Sequence, residues 1–244
     1  MTGPGPLLGP ETVQALLRRE REALAGRLLR GVVHNFSGAL QLIRLPLDIL
    51  EMRLGMGQGL TEDISPRLIA IHNGYNRVAE ELELLAGKSG QAGQTQPVLL
   101  DLAAVAREQL GFWRADMYFK HQAQVATRLE GFAPRTRAAY ADVALAFNVL
   151  VANAVEALAA AGRTGLSISL EVREGMPALL VADDAPPPSP EMAPAMFAAF
   201  SGDKGGDHDG LGLFLANAAL APWQGRVVYE DLPAKGFLLT LPPA

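Results

Sequence analysis

The stretch Arg30-Gly-Val-Val-His-Asn-Phe-Ser-Gly-Ala-Leu-Gln-Leu-Ile43 lies on a long helix that is predicted from Glu11 to about Met56. Apolar residues recur along this helix in steps of three and four, the pattern of a helix buried along one side; they are Leu24, Leu28, Val32, Phe36, Leu40, Ile43, Leu47, Leu50 and Leu54. His34 lies two residues from both Val32 and Phe36, about 200° round the helix axis from each. We therefore expect the imidazole of His34 to face solvent, where another domain can approach it.

A second helix is predicted from about residue 65 to residue 86, after a glycine-rich turn at residues 57–61. Its apolar residues follow the alternating 3-4 spacing of a coiled coil or helical bundle; they are Leu68, Ile71, Tyr75, Val78, Leu82 and Leu85. Two helices cannot enclose such a seam, whereas a homodimer would close it into a four-helix bundle. Residues 11–87 are therefore interpreted as a dimerisation hairpin, preceded by a disordered lead at residues 1–10.

The chain has 244 residues, a formal net charge of -5 and no cysteine. An acidic chain without a run of lysines or arginines offers no electrostatic footprint for nucleic acid or an anionic membrane, so neither is an expected partner. No segment approaches the roughly 20 uninterrupted apolar residues of a membrane span, and the N-terminus lacks the basic start and apolar run of a signal peptide, which predicts a cytoplasmic protein. The four histidines lack metal-ligand spacing, so a metal ion is expected to arrive together with a ligand.

After a polar linker at residues 88–97, the sequence pattern changes to mixed helices and strands. Helices are predicted at residues 103–117, at 138–161 and after Gly210, and strands at 98–102, 122–129, 165–173, 177–183, 225–230 and 236–241. This order predicts an α+β domain over residues 98–244, in which helices cover one face of a mostly antiparallel sheet.

Two segments of this second part carry polar residues that nucleotide chemistry can use. Asn153 and Glu156 are three apart on one face of the helix at 138–161, where an amide oxygen can hold Mg²⁺ and a carboxylate can orient water. Asp183 ends a buried strand and can accept a hydrogen bond from an exocyclic amine such as adenine N6. Each feature alone is weak evidence, because asparagines on helices and aspartates at strand ends are common in proteins without a ligand.

Two later segments add a cation and a glycine-rich helix start. Lys204 ends the loop stretch Phe197-Ala-Ala-Phe-Ser-Gly-Asp-Lys204. Gly210 and Gly212 stand at the start of a predicted helix, so backbone N–H groups and the helix dipole can face a triphosphate there. A single Gly-x-Gly is commonly only a turn, and the order of the four segments is therefore more informative than any one of them.

In this order and spacing, the four segments resemble the N, G1, F and G2 boxes of the histidine kinase catalytic domain, which has the Bergerat ATP-binding fold. The stretch LLRGVVHNFSGALQLI at residues 28–43 resembles the phosphoacceptor helix of the histidine kinase subgroup with a His-Asp-Phe-Asn-Asn core, and His34 stands at the phosphorylated position. The resemblance covers about residues 15–242. It implies a dimeric helical-hairpin domain followed by an α/β sandwich of the Bergerat type.

The resemblance also implies cofactors, partners and residue roles. ATP and Mg²⁺ are the implied cofactors, and a second copy of the chain and a response-regulator receiver domain are the implied partners; a separate sensor protein is left open as a further one. The roles that it implies are Asn153 as the Mg²⁺ ligand, Glu156 as a polar residue of the nucleotide site, Asp183 as the adenine contact, Lys204 near the phosphates, and Gly210 and Gly212 as the phosphate-facing turn of the lid.

The chain departs from the family pattern at four places. Asn35 follows His34, where an acidic residue normally serves as the general base, and an amide cannot take up the proton. Val149 stands where a second N-box asparagine is usual, and Asn148 cannot replace it, because five residues of helix leave its side chain about 140° from that of Asn153. The loop Asp183-Asp-Ala-Pro-Pro-Pro188 has no glycine, which predicts a stiff, crowded loop. Gly38 lacks the amide or hydroxyl group associated with phosphatase activity.

Two function classes therefore stay open. The first is an enzyme, a cytoplasmic histidine kinase that phosphorylates His34 from ATP, across the dimer, and passes the phosphoryl group to a receiver aspartate. The second is a pseudokinase or phosphotransfer hub that docks receiver domains and has a weakened nucleotide site. The Gly210-Leu-Gly212 turn, Asn153 and Asp183 favour the first class, whereas Asn35, Val149 and the proline-rich loop after Asp183 favour the second.

Overall fold

The computed structural model of the chain describes residues 8–56, 64–91, 95–189, 194–201, 210–231 and 235–244. Most of the predicted lead at 1–10, the turn predicted at 57–61 and the candidate phosphate contact Lys204 lie outside these residues. No side chain is described at residue 81 or at residues 83–91, so the predicted seam residue Leu85 cannot be placed.

Two long helices form the hairpin that the apolar periodicity predicts. Helix α1 spans Pro10–Gly55 and helix α2 spans Ile64–Gln91. The end predicted for α2, residue 86, is five residues too early, and α2 takes in the first part of the predicted linker at 88–97. Single glycines cost a helix only about 1 kcal/mol each, too little to end it where the helix is otherwise favourable. The two helices approach closely at Gly74, where an added Cβ would stand 2.6 Å from Cγ1 of Ile43.

The second part of the chain is an α+β domain, as predicted. Its helices are α3 (Leu102–Trp113), α4 (Met117–His121), α5 (Tyr140–Ala161) and α6 (Gly212–Leu220), and its strands are β1 (Pro97–Leu100), β2 (Gln124–Arg128), β3 (Thr136–Ala139), β4 (Gly165–Arg173), β5 (Met176–Asp183), β6 (Arg226–Glu230) and β7 (Gly236–Thr240). Five strands form a sheet in the order β2-β4-β5-β7-β6, in which only β2 and β4 are parallel. Strands β1 and β3 form a separate antiparallel pair.

The core lies between one face of the sheet and helices α3, α5 and α6. Alternate residues of β5 point to opposite faces, so that Leu179 and Val181 join this core while Leu180 and Ala182 belong to a small cluster on the other face. Helix α5 is apolar on nearly every side, and by length and composition it could cross a membrane. The protein itself buries 72% of its most apolar window, which is the situation of a central core helix.

The start of α1 packs against the α+β domain, which the sequence pattern did not predict. Leu17, Leu24 and Leu28 are buried in the same cluster as the core of that domain. The periodicity predicted that Leu24 and Leu28 belong to the seam of the bundle. This prediction is wrong, because the α+β domain covers both residues. Further along α1, the seam residues Leu40 and Leu47 are exposed in the single chain, as are Leu68 and Tyr75 of α2. A large apolar surface is thus left on the hairpin, beyond the part of α1 that the α+β domain covers.

Gly31 allows α1 to touch the backbone between α3 and α4. A Cβ added at Gly31 would stand 1.8 Å from the carbonyl oxygen of Ala115, whereas one at Gly26, on the same helix, would meet nothing within 4 Å. Real atoms do not approach to 1.8 Å, so any side chain at position 31 forces α1 away from Ala115. Glycine is required here for close approach rather than for its conformational freedom.

We expect Gly31→Ala to lower the free energy of unfolding by about 1–3 kcal/mol, the usual cost of overpacking a close contact. Gly26→Ala is the matched control, and it should raise stability by up to about 1 kcal/mol, because alanine favours the helix over glycine. Urea denaturation of the full-length chain measures both changes. If both variants become more stable, α1 does not dock against Ala115 in solution.

Candidate functional site

A cavity of about 510 Å³ lies between α1, α5, the start of α6 and the adjoining ends of β5 and β7. It is lined by every candidate nucleotide-site residue in the described part of the chain, namely Asn153, Glu156, Asp183, Gly210 and Gly212. These residues come from segments that are as much as 59 positions apart in the sequence, and the fold brings them to one place. The volume is within the range of small-molecule sites, about 300–1,000 Å³.

Helix α5 presents Asn153 and Glu156 to the cavity, while its other faces are buried in the core. The carboxylate of Glu156 accepts a hydrogen bond from Arg27 of α1, with an N–O distance of 3.0 Å. Arg27 also pairs with Asp116 at 3.1 Å, and its guanidinium lies 5.2 Å from the centre of the Trp113 ring. Glu156 therefore lines the cavity, but its charge is already neutralised by Arg27 of α1.

Asn148 belongs to a buried polar chain and does not reach the cavity. Its side chain accepts from Nε1 of Trp113 at 2.9 Å and donates to Gln109 at 2.8 Å, and Gln109 donates to the hydroxyl of Tyr140 at 2.7 Å. Burial raises the pKa of Tyr140, with a further contribution from Glu108, so this hydroxyl stays protonated. The structure thus agrees with the prediction that Asn148 cannot replace the missing N-box asparagine.

Val149, which stands at the position of that asparagine, packs against the glycine turn at the start of α6. A Cβ added at Gly212 would be 3.2 Å from Cγ1 of Val149. Gly210 has a φ of +61°, in the left-handed region that favours glycine. The glycine turn is therefore present, but the helix beside it offers an apolar contact where an amide would be expected.

Asp183 lies at the end of β5, and its side chain is almost fully buried. Its Oδ1 accepts hydrogen bonds from the backbone N–H of Ala185 at 3.0 Å and from Nζ of Lys235 at 2.7 Å. Lys235 also donates to the carbonyl oxygen of Ala185. The glycine-free loop after β5 is thus held against Asp183 by hydrogen bonds from its own backbone and from Lys235. The sequence analysis did not identify this lysine.

The wall beside Asp183 is aromatic and apolar. The rings of Tyr229 and Phe237 meet edge to face, with their centres 5.5 Å apart, and Met196 and Pro186 line the same cavity. Burial raises the pKa of the Tyr229 hydroxyl, and the nearby carboxylates of Asp231 and Asp183 raise it further. Such a wall can hold the flat, apolar faces of a heterocyclic base, while polar groups at the edge set its orientation.

His34 is exposed on α1, as its position relative to the apolar seam predicts. The last residue of α1 that lines the cavity is Arg27, seven positions earlier. Seven residues of helix correspond to about 10 Å along the axis on nearly the same face, so His34 lies beyond the cavity rather than in it. Its neighbour Asn35 accepts a hydrogen bond from Nζ of Lys120 in α4, at 2.9 Å.

Sequence reasoning missed Arg27, Lys120 and Lys235. Each is one charged residue without a motif, and each acquires a role only through a partner distant in the chain. Within the residues that the structure describes, no group of three or more acidic, histidine or cysteine side chains could hold a metal ion. A magnesium ion at Asn153 would therefore need oxygens from its ligand, which is the usual arrangement when Mg²⁺ binds with a nucleotide.

Residues 140–244 match the family model described as "Histidine kinase-, DNA gyrase B-, and HSP90-like ATPase". No curated protein matches the sequence. Among solved structures, the chain is similar to full-length ShkA in complex with AMPPNP (18% identity, TM-score 0.53, covering 97% of this chain and 46% of ShkA). It is also similar to the nucleotide-free catalytic domain of the histidine kinase ThkA (19% identity, TM-score 0.52, covering 61% of this chain and 98% of that domain). At these identities the likeness establishes the fold, and it agrees with the predicted Bergerat architecture.

Proposed function

On the basis of the match of residues 140–244 to the model described as "Histidine kinase-, DNA gyrase B-, and HSP90-like ATPase", we propose that this chain is a protein-histidine kinase. It binds ATP with Mg²⁺, phosphorylates His34 and passes the phosphoryl group to an aspartate of a response-regulator receiver domain. The observation that carries this proposal is the single cavity that joins Asn153, Asp183 and the Gly210–Gly212 turn. An exposed histidine on the helix that walls this cavity provides the acceptor.

Each part of the cavity suits one part of the nucleotide. Asp183 and the aromatic wall of Tyr229 and Phe237 would receive the base, the glycine turn at the start of α6 would face the phosphates, and Asn153 would hold Mg²⁺. When bound, Mg²⁺ supplies neutralising charge on the phosphate oxygens. The residues of the chain then bind and orient the nucleotide, and α1 and α5 form walls of the cavity around it.

In the proposed transfer, Nε2 of a neutral His34 attacks the γ-phosphorus, the bond to the β–γ bridging oxygen breaks, and ADP leaves. The proton on Nδ1 must then be lost, and Asn35 cannot accept it. Because His34 lies about 10 Å beyond the last cavity residue of its own α1, we infer that the acceptor is the His34 of a second chain in the homodimer. The exposed apolar residues of the hairpin, such as Leu40, Leu47, Leu68 and Tyr75, support a dimer.

The second candidate is a phosphotransfer hub, in which the same dimer accepts and donates phosphoryl groups through His34 without using ATP. Two contacts favour the phosphotransfer hub. Val149 packs against the Gly212 turn, and Lys235 forms an ion pair with Asp183. Both weaken the cavity as a nucleotide site without affecting the exposed histidine. In either case the proposed location is the cytoplasm, where receiver domains and ATP are found together.

We expect Mg²⁺-ATP to stabilise the full-length chain by about 2.7 kcal/mol at a concentration a hundred times its dissociation constant. Asn153→Ala should weaken this binding about tenfold or more, because it removes a contact to a charged ligand. Asn76→Ala, on the exposed side of α2, is the control and should leave binding unchanged. Thermal denaturation with and without Mg²⁺-ATP measures the effect, and the absence of any shift at millimolar nucleotide would favour the hub.

A further inference from the structure

Lys235 and Asp183 form an ion pair at the base end of the cavity. The distance from Nζ to Oδ1 is 2.7 Å, and both residues line the cavity. Only 6% of the Asp183 side chain and 17% of the Lys235 side chain are exposed, so the pair is largely removed from solvent. An ion pair in such surroundings is screened much less than one on the surface.

The strand register holds Lys235 in this place. In the antiparallel pairing of β5 with β7, Gly236 lies opposite Ala182, which puts Lys235 and Asp183 at the next pair of positions. A Cβ added at Gly236 would stand 2.6 Å from the carbonyl oxygen of Val181, so only glycine permits this approach of the two strands. Lys235 is thus tethered opposite the carboxylate by backbone pairing.

The bonds already made by Asp183 restrict what else it can accept. Its Oδ1 receives one hydrogen bond from the backbone of Ala185 and one from Lys235, which use the two lone pairs of that oxygen. The ammonium group also cancels the negative charge that would strengthen a hydrogen bond from the amine of a base. The bond from Ala185 belongs to the folded loop, so Lys235 is the donor that a ligand can displace.

We infer that Lys235 is a tethered competitor for the exocyclic amine of the base, and that it sets both the affinity and the base discrimination of this site. The inference rests on the proposed function, since it assumes that the cavity takes a purine nucleotide. A base that carries an amine must therefore either displace the ammonium from Oδ1 or donate to Oδ2 of a carboxylate whose charge Lys235 already neutralises, and both routes weaken its hydrogen bond to Asp183. A nucleotide whose base lacks the amine makes no hydrogen bond to Asp183 and leaves the ion pair intact.

Comparing two ligands on matched variants of the full-length chain tests the inference. The ligands are ATP and purine riboside triphosphate, which lacks only the 6-amino group, each with Mg²⁺ and measured by isothermal titration calorimetry. Lys235→Met removes the charge and keeps a side chain of similar length, and Arg226→Met removes a charge from the exposed far end of the same hairpin. Lys235→Gln is a second variant, which keeps a neutral donor for the buried carboxylate in case Lys235→Met does not fold.

The wild-type chain and Arg226→Met should bind the two ligands with nearly equal affinity. Lys235→Met should bind ATP about tenfold more tightly than the wild type does and should prefer ATP over the analogue by a similar factor, because hydrogen bonds to charged groups have at least that effect. Lys235→Gln should fall between the two. Binding of purine riboside triphosphate should change little in any variant.

Two results would overturn the inference, and they differ from each other. If the wild type binds ATP and prefers it over the analogue to the same extent as Lys235→Met and Lys235→Gln do, Lys235 only supports the loop and the competitor role is wrong. If no variant binds either nucleotide at millimolar concentration, the nucleotide site itself is wrong, and the inference is rejected together with the proposed function.

Discussion

His34→Gln is expected to abolish the acid-labile phosphoryl label of the protein, whether the label comes from ATP or, in reverse, from a phosphorylated receiver domain. Glutamine is polar and of similar length but has no ring nitrogen that can attack phosphorus. Because His34 is exposed and supports no part of the core, the loss should be complete while the fold is unchanged. The label is measured with ³²P and tested for loss in acid.

Two controls accompany this variant. Sedimentation and thermal denaturation should give the wild-type mass and midpoint, because the hairpin and the core are untouched. His72→Gln, which changes an exposed histidine of α2, should leave the label in place. A label that persists in His34→Gln would exclude His34 as the acceptor and would point to a different residue.

Asn35→Asp is expected to raise the forward rate of phosphorylation about 100-fold, because a carboxylate one residue after the histidine can accept the proton from Nδ1. General-base assistance has at least this magnitude, and a factor of 100 corresponds to about 2.7 kcal/mol of barrier. Single-turnover measurements of His34 labelling at saturating Mg²⁺-ATP give the rate. A gain would identify a slow kinase whose other catalytic parts are intact.

Lys120 sets the size of this gain. Its Nζ donates to the oxygen of Asn35 at 2.9 Å, so an aspartate at position 35 would pair with the same lysine and become a weaker base. The double variant Asn35→Asp, Lys120→Met should therefore be faster than Asn35→Asp alone, while Lys120→Met alone should not be faster than the wild type. If ATP binds but neither the wild type nor Asn35→Asp is labelled, catalysis is disabled elsewhere, and the hub is the better description.

The chain resembles a histidine kinase at both ends of the proposed reaction, yet each end has a feature that is expected to slow phosphorylation or weaken nucleotide binding. At the acceptor, Asn35 replaces an acid. In the cavity, Val149 makes an apolar contact to the glycine turn where an N-box asparagine is usual, and Lys235 forms an ion pair with Asp183. The feature at the acceptor should affect proton transfer and those in the cavity should affect nucleotide binding, so the two steps can be measured separately.

Local sequence was sufficient to predict the features that depend on helical and strand periodicity. The apolar seam of α1 predicted that His34 is exposed, and the rotation per residue predicted that Asn153 and Glu156 share a face from which Asn148 is turned away. The α+β class and most element positions followed from the same periods, since 3.6 and 2 residues per repeat determine which side chains share a face. The order of the motifs then indicated the family.

Which surfaces pack together and which charges pair could be determined only from the tertiary structure. Periodicity shows that Leu24 and Leu28 are buried but not what covers them, and the covering surface is the α+β domain rather than the bundle. Lys235 reaches Asp183 only because the register of β5 with β7 places residues 52 positions apart opposite each other. The periodicity of a helix or strand determines only which of its own side chains share a face. The contacts described here depend on the register and packing of elements that are distant in the sequence, which no single segment encodes.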